Sequence, residues 1–403
     1  MAPRLEVAEV FRRHKDEYLA THSASPEQRR VLRDLVACRT AALGAHLRRC
    51  DLCGHEDIAY NSCRNRHCPK CQAQKQAEWL EAQCTNLLEV PYYHIVFTLP
   101  EDLGPLALQN KRLLYGLLFR SASETLLTIA GDPKHLGARI GFTAVLHTWG
   151  QTLLHHPHLH CVVPAGGLSP DRCRWIAARQ QFFLPVRVLS RLFREKYLAN
   201  LREAYRDEKL LLAGRLQELA TPSAWRAFLD GLRRIEWVVY AKPPFGSPEQ
   251  VLKYLARYTH RVAISNRRIL SLEDRYVAFR YKNYRRGRTD RVMRLPAAEF
   301  IRRFLLHVLP NRFVRIRHYG LLANRARRSN LALCRRLLAF SGQPGTTGDG
   351  HPPVQPDSAH HSLLSEDRAN GCPACKTGHL IFIRLVPPSR AGPQLPLNLL
   401  AYA

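Results

Sequence analysis

The chain has 403 residues, enough for two or three domains with at least one substantial core. Its hydrophobic fraction of 46% is ordinary, no apolar run reaches the ~18 residues of a membrane helix, and the N-terminal segment lacks the apolar core of a secretory leader. Sixty-one Lys and Arg against 33 Asp and Glu give a formal net charge of +28, and the arginines are spread along the length, which points to nucleic acid rather than a membrane surface.

In chain order, residues 1–35 read as helical, with Leu5, Val10, Phe11, Tyr18 and Leu19 at helical spacing. Residues 38–71 hold Cys38, Cys50, Cys53, Cys63, Cys68 and Cys71, half of the 12 cysteines. Without a secretory leader the expected setting is a reducing, bacterial-type cytoplasm, where clustered cysteines are metal ligands or catalytic groups more often than disulfides. A helix is expected over 72–88, with a boundary at Pro91. Residues 92–100 read as a buried strand, 106–129 as a helix, and 140–149 and 158–164 as two strands. A long amphipathic helix is expected over 188–220 and a strand over 235–241. Residues 248–259 read as a helix with Ser247 as N-cap and Pro248 at its first position. A hairpin over 269–284 and a helix over 297–306 follow. Beyond 311 the chain is very basic, and 341–371 reads as a Gly/Pro/Ser-rich linker before a short tail with Cys372 and Cys375. The expected class is an α+β domain built on an antiparallel sheet, preceded by a small helical and zinc-ribbon domain.

Cys50-x-x-Cys53 and Cys68-x-x-Cys71 are two knuckles whose spacing sits just under the zinc-ribbon range, and two knuckles can close a tetrahedral thiolate site. On spacing, these four are the expected ligands of a structural Zn²⁺. Cys63, His67, Cys38 and His46 stand as substitutes or as parts of a second site. Cys372 and Cys375 have no evident partner pair, with Cys334 and His379 the nearest options. Arg64 and Arg66, among other cations around the knuckles, make this region a DNA-reading module.

Residues 155–160 read His-His-Pro-His-Leu-His. On a strand, His158 and His160 share a face and Leu159 points the other way, so the two imidazoles can hold a divalent cation with positions left for substrate oxygen. Tyr254 and Tyr258 are four apart on an expected helix and share a face, in a basic segment with Lys253, Arg257 and Arg261. A phenol near neutral pH is a weak nucleophile, with a reference pKa of about 10, unless a cation polarises the phosphate it attacks.

Taken together, these motifs resemble the two-tyrosine HUH transposases of rolling-circle insertion sequences. The resemblance is carried by Asn65–Gln72 after the other cysteines, by Phe97-Thr98-Leu99-Pro100, by His147-Thr148-Trp149-Gly150, by His156–His160, by Tyr254–Tyr258 and by Arg317–Leu322. It implies a ferredoxin-like HUH endonuclease core, His158 and His160 as ligands of Mg²⁺ or Mn²⁺, and Tyr254 and Tyr258 as nucleophiles that form 5′-phosphotyrosine. A third metal ligand is implied but not fixed; His147 is the first choice and Gln151 the second. Single-stranded DNA at the element ends and target DNA are the implied partners, with self-association left open and no membrane. The basic stretch around Arg317 is expected to contact DNA. The expected division is 1–90 for zinc-dependent DNA recognition, 91–320 for the nuclease, and 321–403 for a basic segment, linker and tail. A plasmid replication initiator or relaxase, a metal-dependent hydrolase, and a non-catalytic zinc-dependent regulator are the rival readings.

Overall fold

A computed structural model describes residues 5–84, 86–179, 183–245, 250, 263–283, 289–340 and 371–389. It divides into two compact units, one spanning residues 6–72 and 346–403 and the other, apart from the first five residues, spanning 73–345.

The smaller unit opens with helices α1 (Val7–Thr21) and α2 (Pro26–Ala37). Helix α2 is started by a capping box: Ser25 accepts from the Gln28 amide, the Gln28 side chain accepts from the Ser25 amide, and Pro26 occupies the first turn. Val7, Val10, Phe11 and Tyr18 of α1 and Val31, Leu32 and Leu35 of α2 are buried. Strand β1 (Ala45–Cys50) pairs antiparallel with β2 (Glu56–Tyr60). On its other side β1 pairs with a strand from the far end of the sequence, Leu380–Val386. The tail thus belongs to the same compact unit as the N-terminal cysteines, which differs from the expected separate segment 321–403. Helix α3 (Pro69–Cys84) also begins in this unit, with Cys71 in its first turn.

The larger unit is organised by strands β3 (Tyr92–Thr98), β4 (Gly141–Trp149) and β5 (His155–Pro164). Helices α4 (Gly104–Gln109) and α5 (Lys111–Gly131) lie between β3 and β4 in sequence. A small hairpin, β6 (Gly166–Leu168) with β7 (Trp175–Ala177), follows β5. Helices α6 (Val186–Arg206) and α7 (Pro222–Arg234) precede β8 (Val239–Phe245). The helix expected over 188–220 therefore ends early: Glu208 takes a positive φ of 52°, and α7 restarts with Thr221 as N-cap and Pro222 in its first turn. A second sheet holds β9 (Ile269–Glu273), β10 (Tyr276–Asn283) and β11 (Thr289–Pro296), followed by α8 (Ala297–Leu306). Strand β12 (Ile316–Gly320) returns to the main sheet, then comes α9 (Arg327–Phe340); the tail strand is β13 (Leu380–Val386).

The main sheet has the order β12-β4-β5-β3-β8, with every neighbouring pair antiparallel. Alternation assigns its faces. Ile95 and Phe97 of β3, Phe142, Ala144 and Leu146 of β4, and Leu159, Cys161 and Val163 of β5 join α4–α7 in the main core. Each fully buried Leu or Phe there contributes roughly 1.5–3 kcal/mol. The other residues of the same strands form the opposite face. At one end, Tyr92 and Val162 are covered by a cluster with Leu331 and Cys334 of α9. At the other end that face carries histidines.

Candidate metal centre and cysteine groups

Antiparallel register sets His147 of β4 directly across from His158 of β5, and Val145 across from His160. His147, His158 and His160 therefore share a face, and their ligand nitrogens lie within 4.8 Å of one another. Leu159, between the two β5 histidines, is fully buried in the opposite core. His147 stacks on Trp149, two residues along the same strand, with centroids 4.5 Å apart.

Two hydrogen bonds orient the β5 imidazoles. His158 Nδ1 donates to the carbonyl of His156 at 2.6 Å, which leaves Nε2 as the lone-pair atom. His160 Nδ1 lies 2.8 Å from Nε2 of His94, a buried β3 residue. The two rings are stacked, with an interplanar angle of 10°. Burial lowers His158 to about 4, with the positive charge of His156 adding to the shift. Burial likewise holds His160 well below its ordinary value, reinforced by His147, His158, His94 and Lys242. His94 is lowered to about 3 by burial, Lys242 and His158. Neutral imidazoles are what a cation needs. Lys242 of β8 sits across from His94 in register, an ammonium on the histidine-bearing side of the sheet.

Of the other two histidines of the run, His155 is engaged elsewhere, its Nε2 2.8 Å from the Tyr115 hydroxyl, whereas the His156 ring lies beside that of His158 with centroids 5.2 Å apart. Gln151, the alternative third ligand, sits in the β4–β5 turn. That turn is held through three successive carbonyls. Arg268 donates to Gln151 at 2.6 Å, Arg303 to Thr152 at 3.1 Å, and His307 Nε2 to Leu153 at 3.0 Å. Leu153 is fully buried with a φ of 63°, so the turn is fixed in an uncommon backbone shape.

Tyr254 and Tyr258, with Lys253, Arg257 and Arg261, lie outside the described residues. Arg317 is on β12, where its guanidinium covers the Phe119 ring at 4.1 Å and its Nε donates to the Val314 carbonyl at 3.2 Å. It has a packing role that the basic composition of its neighbourhood did not reveal. Arg64 is exposed, with a φ of 54°, and Arg66 is half-buried.

The cysteines fall into groups different from those expected. Cys68 and Cys71 stand with Cys38 and Cys63, all four sulfurs within 4.8 Å. The separations are 3.5 Å for Cys38–Cys68, 3.6 Å for Cys38–Cys71 and 3.7 Å for Cys63–Cys71. A tetrahedron of sulfurs at Zn–S distances of about 2.3 Å has edges of about 3.8 Å, so this set is shaped for zinc. Cys50 and Cys53 do not join it; they stand with Cys372 and Cys375. The expected single site of Cys50, Cys53, Cys68 and Cys71 is thus not formed. The knuckle Cys50–Cys53 ends the β1–β2 hairpin, whereas Cys68 and Cys71 lead into α3, and each finds nearer partners. His67 hydrogen-bonds Asn65 and His46 rests edge-on against Phe382; neither belongs to a group.

Among the described residues no helix is long and apolar enough to cross a membrane. A family model described as "Putative transposase" matches residues 141–330, the stretch that contains the three histidines. One described as "Transposase zinc-binding domain" matches residues 10–99. The chain is 55% identical over 381 residues to "Putative transposase y4qJ" of Sinorhizobium fredii, covering 94% of this chain and 95% of that protein. It is 29% identical over 297 residues to "Transposase for insertion sequence element IS801" of Pseudomonas savastanoi pv. phaseolicola, covering 72% and 69% of the two chains. No solved structure matches. With a zinc-binding domain ahead of a transposase domain, and near full-length similarity to one such protein, this chain belongs to the transposases of the IS91 and IS801 type.

Proposed function

We propose that this transposase nicks and rejoins single-stranded DNA at element ends through 5′-phosphotyrosine intermediates, with Tyr254 and Tyr258 as nucleophiles. The observation that carries the reading is the convergence of His147, His158 and His160 on one side of the sheet, away from the main core. The connectivity of the sheet supports a ferredoxin-like HUH core. In chain order it is strand, helices, two strands, helices, strand, with β8-β3-β5-β4 side by side and β12 added at the β4 edge.

The three imidazoles fit a divalent cation by proximity; burial favours the neutral form of His158 and His160, and the bond made by His158 Nδ1 leaves its Nε2 as the lone-pair atom. A bound cation would polarise a phosphodiester oxygen and offset the charge that develops during attack. Between the two ions expected, a donor set of imidazoles alone favours Mn²⁺ over Mg²⁺, which prefers oxygen ligands. His94 orients His160, and Lys242 supplies positive charge for a backbone phosphate. In the proposed cleavage the tyrosine oxygen bonds to phosphorus and the P–O3′ bond breaks. The phenol gives up its proton and the departing 3′ oxygen gains one. The phosphodiester is conserved in the adduct, so a later 3′-hydroxyl can reverse the step. A second tyrosine allows a second strand to be held while the first remains attached.

The zinc-binding unit and the basic surface would recognise the DNA, and the free thiols suit a reducing cytoplasm. An all-imidazole centre also suits a hydrolytic metal enzyme, which would release a free 5′-phosphate. The readings separate on incubation with Mn²⁺ and labelled single-stranded DNA carrying the element end. Nicking with an SDS-resistant protein–DNA band, lost in Tyr254→Phe/Tyr258→Phe, is expected. Nicking that persists in the double variant overturns the tyrosine mechanism.

A further inference from the structure

The group formed by Cys50, Cys53, Cys372 and Cys375 is left unused by the reading above, and Cys372 and Cys375 lie outside the matched zinc-binding domain. From its geometry we infer a second structural zinc site that closes a zinc ribbon from the two ends of the sequence.

Three observations carry it. The first is sulfur spacing: Cys50–Cys375 is 3.7 Å and Cys53–Cys372 is 3.6 Å, close to the edge of about 3.8 Å required by a ZnS₄ tetrahedron. The second is that the two knuckles repeat one local structure. After Cys53, Gly54 has a φ of 73° and its amide donates to the Cys50 carbonyl; after Cys375, Lys376 has a φ of 63° and its amide donates to the Cys372 carbonyl. The sulfurs also accept backbone amides, Cys50 from Cys53 at 3.5 Å and Cys375 from Gly378 at 3.2 Å, bonds that favour thiolate over thiol.

The third observation is the fit around the group. A Cβ on Gly378 would stand 2.5 Å from the Cys50 sulfur, so the tail crosses the knuckle at a distance only glycine allows. Asp51 accepts from the His379 amide at 2.8 Å, and its own amide donates to the His379 carbonyl at 3.0 Å. Strand β13 then continues along β1 from Leu380 opposite Cys50 to Val386 opposite Ala45. Four thiolates leave no open position, so the ion would be structural. It would fasten a tail more than 300 residues distant in sequence onto the first hairpin.

The test uses the full chain, reduced and loaded with cobalt(II), because thiolate-to-cobalt charge transfer reports sulfur ligands and is silent for the histidine centre. The absorption per chain is expected to fall by about half in Cys372→Ser/Cys375→Ser and in Cys50→Ser/Cys53→Ser, each variant retaining the Cys38 group. An amplitude unchanged by the tail substitutions overturns the proposal. A measurement that needs no variant is native mass spectrometry of the unmodified chain, after an EDTA wash that strips an open imidazole centre before closed thiolate ones. Two zinc ions per chain are expected, and a single ion overturns the inference whether or not the tyrosine reading holds.

Discussion

His94 and His160 meet across the β3–β5 pair, Nε2 to Nδ1 at 2.8 Å, with their rings parallel and buried. A ligand histidine whose second nitrogen is held in this way keeps its ring orientation and tautomer. His94→Ala is therefore expected to weaken Mn²⁺ binding by about 10- to 100-fold, the usual cost of losing such a partner. His94→Gln, which can still hydrogen-bond to Nδ1, should recover part of the loss. Titration followed by the electron paramagnetic resonance of free Mn²⁺ checks both values. Unchanged affinity in His94→Ala would remove His94 from the account.

The carbonyls of Gln151, Thr152 and Leu153 are each bound by a side chain from residues 268–307. Arg303 is the best buried of the two arginines involved, and its charged hydrogen bond is worth about 1.5–3 kcal/mol. Arg303→Ala should destabilise the larger unit by that order and speed amide exchange in the turn before it affects distant strands. Denaturant unfolding together with hydrogen exchange reads both.

Glu299 accepts from Arg302 and Arg303, each at 2.6 Å, and these bonds hold its carboxyl at about 2 against an ordinary value of 4.5. The lowered value means that the folded state favours the ionised carboxylate. Its contribution to stability is complete above pH 4.5 and is lost as pH falls toward 2. Glu299→Gln should be less stable than the parent near neutrality, and the gap should narrow over that acid range. A gap independent of pH would contradict the ion-pair assignment.

How much of this was legible beforehand differs by element. Strands β3 and β4 and most of β5 follow from apolar runs bounded by Pro and Gly, and the His-x-His alternation gives the shared face directly. His94 was hidden because it lies in an apolar run, Tyr-Tyr-His-Ile-Val-Phe, that reads as core; only the β3–β5 register brings it beside His160. The early end of α6 was masked by Leu210, Leu211 and Leu212, which prolong an apolar pattern past the turn at Glu208. The cysteine groups were illegible for a topological reason. Spacing ranks near neighbours, whereas Cys53 meets Cys372 across 319 positions, and Cys38 enters its group as a single residue rather than as half of a knuckle.

A net charge of +28 predicts strong dependence of DNA binding on salt. If six to ten phosphates are contacted, affinity should fall by about 10³- to 10⁵-fold between 50 and 200 mM salt on duplex DNA, with a slope lower by about a quarter on single strands. Fluorescence anisotropy across a salt series measures this, and a flat response would contradict an electrostatic footing for recognition.

The central claim is that a tyrosine of the 254–258 segment becomes joined to a DNA 5′-phosphate in a reaction that depends on the three histidines. Mass spectrometry of the nuclease-trimmed, trypsin-digested reaction product tests it most directly. The account predicts a peptide carrying a nucleotide on Tyr254 or Tyr258, absent when His158 and His160 are both replaced by Ala. A nicked product with a free 5′-phosphate and no modified tyrosine, or a nucleotide attached to any other residue, would contradict it.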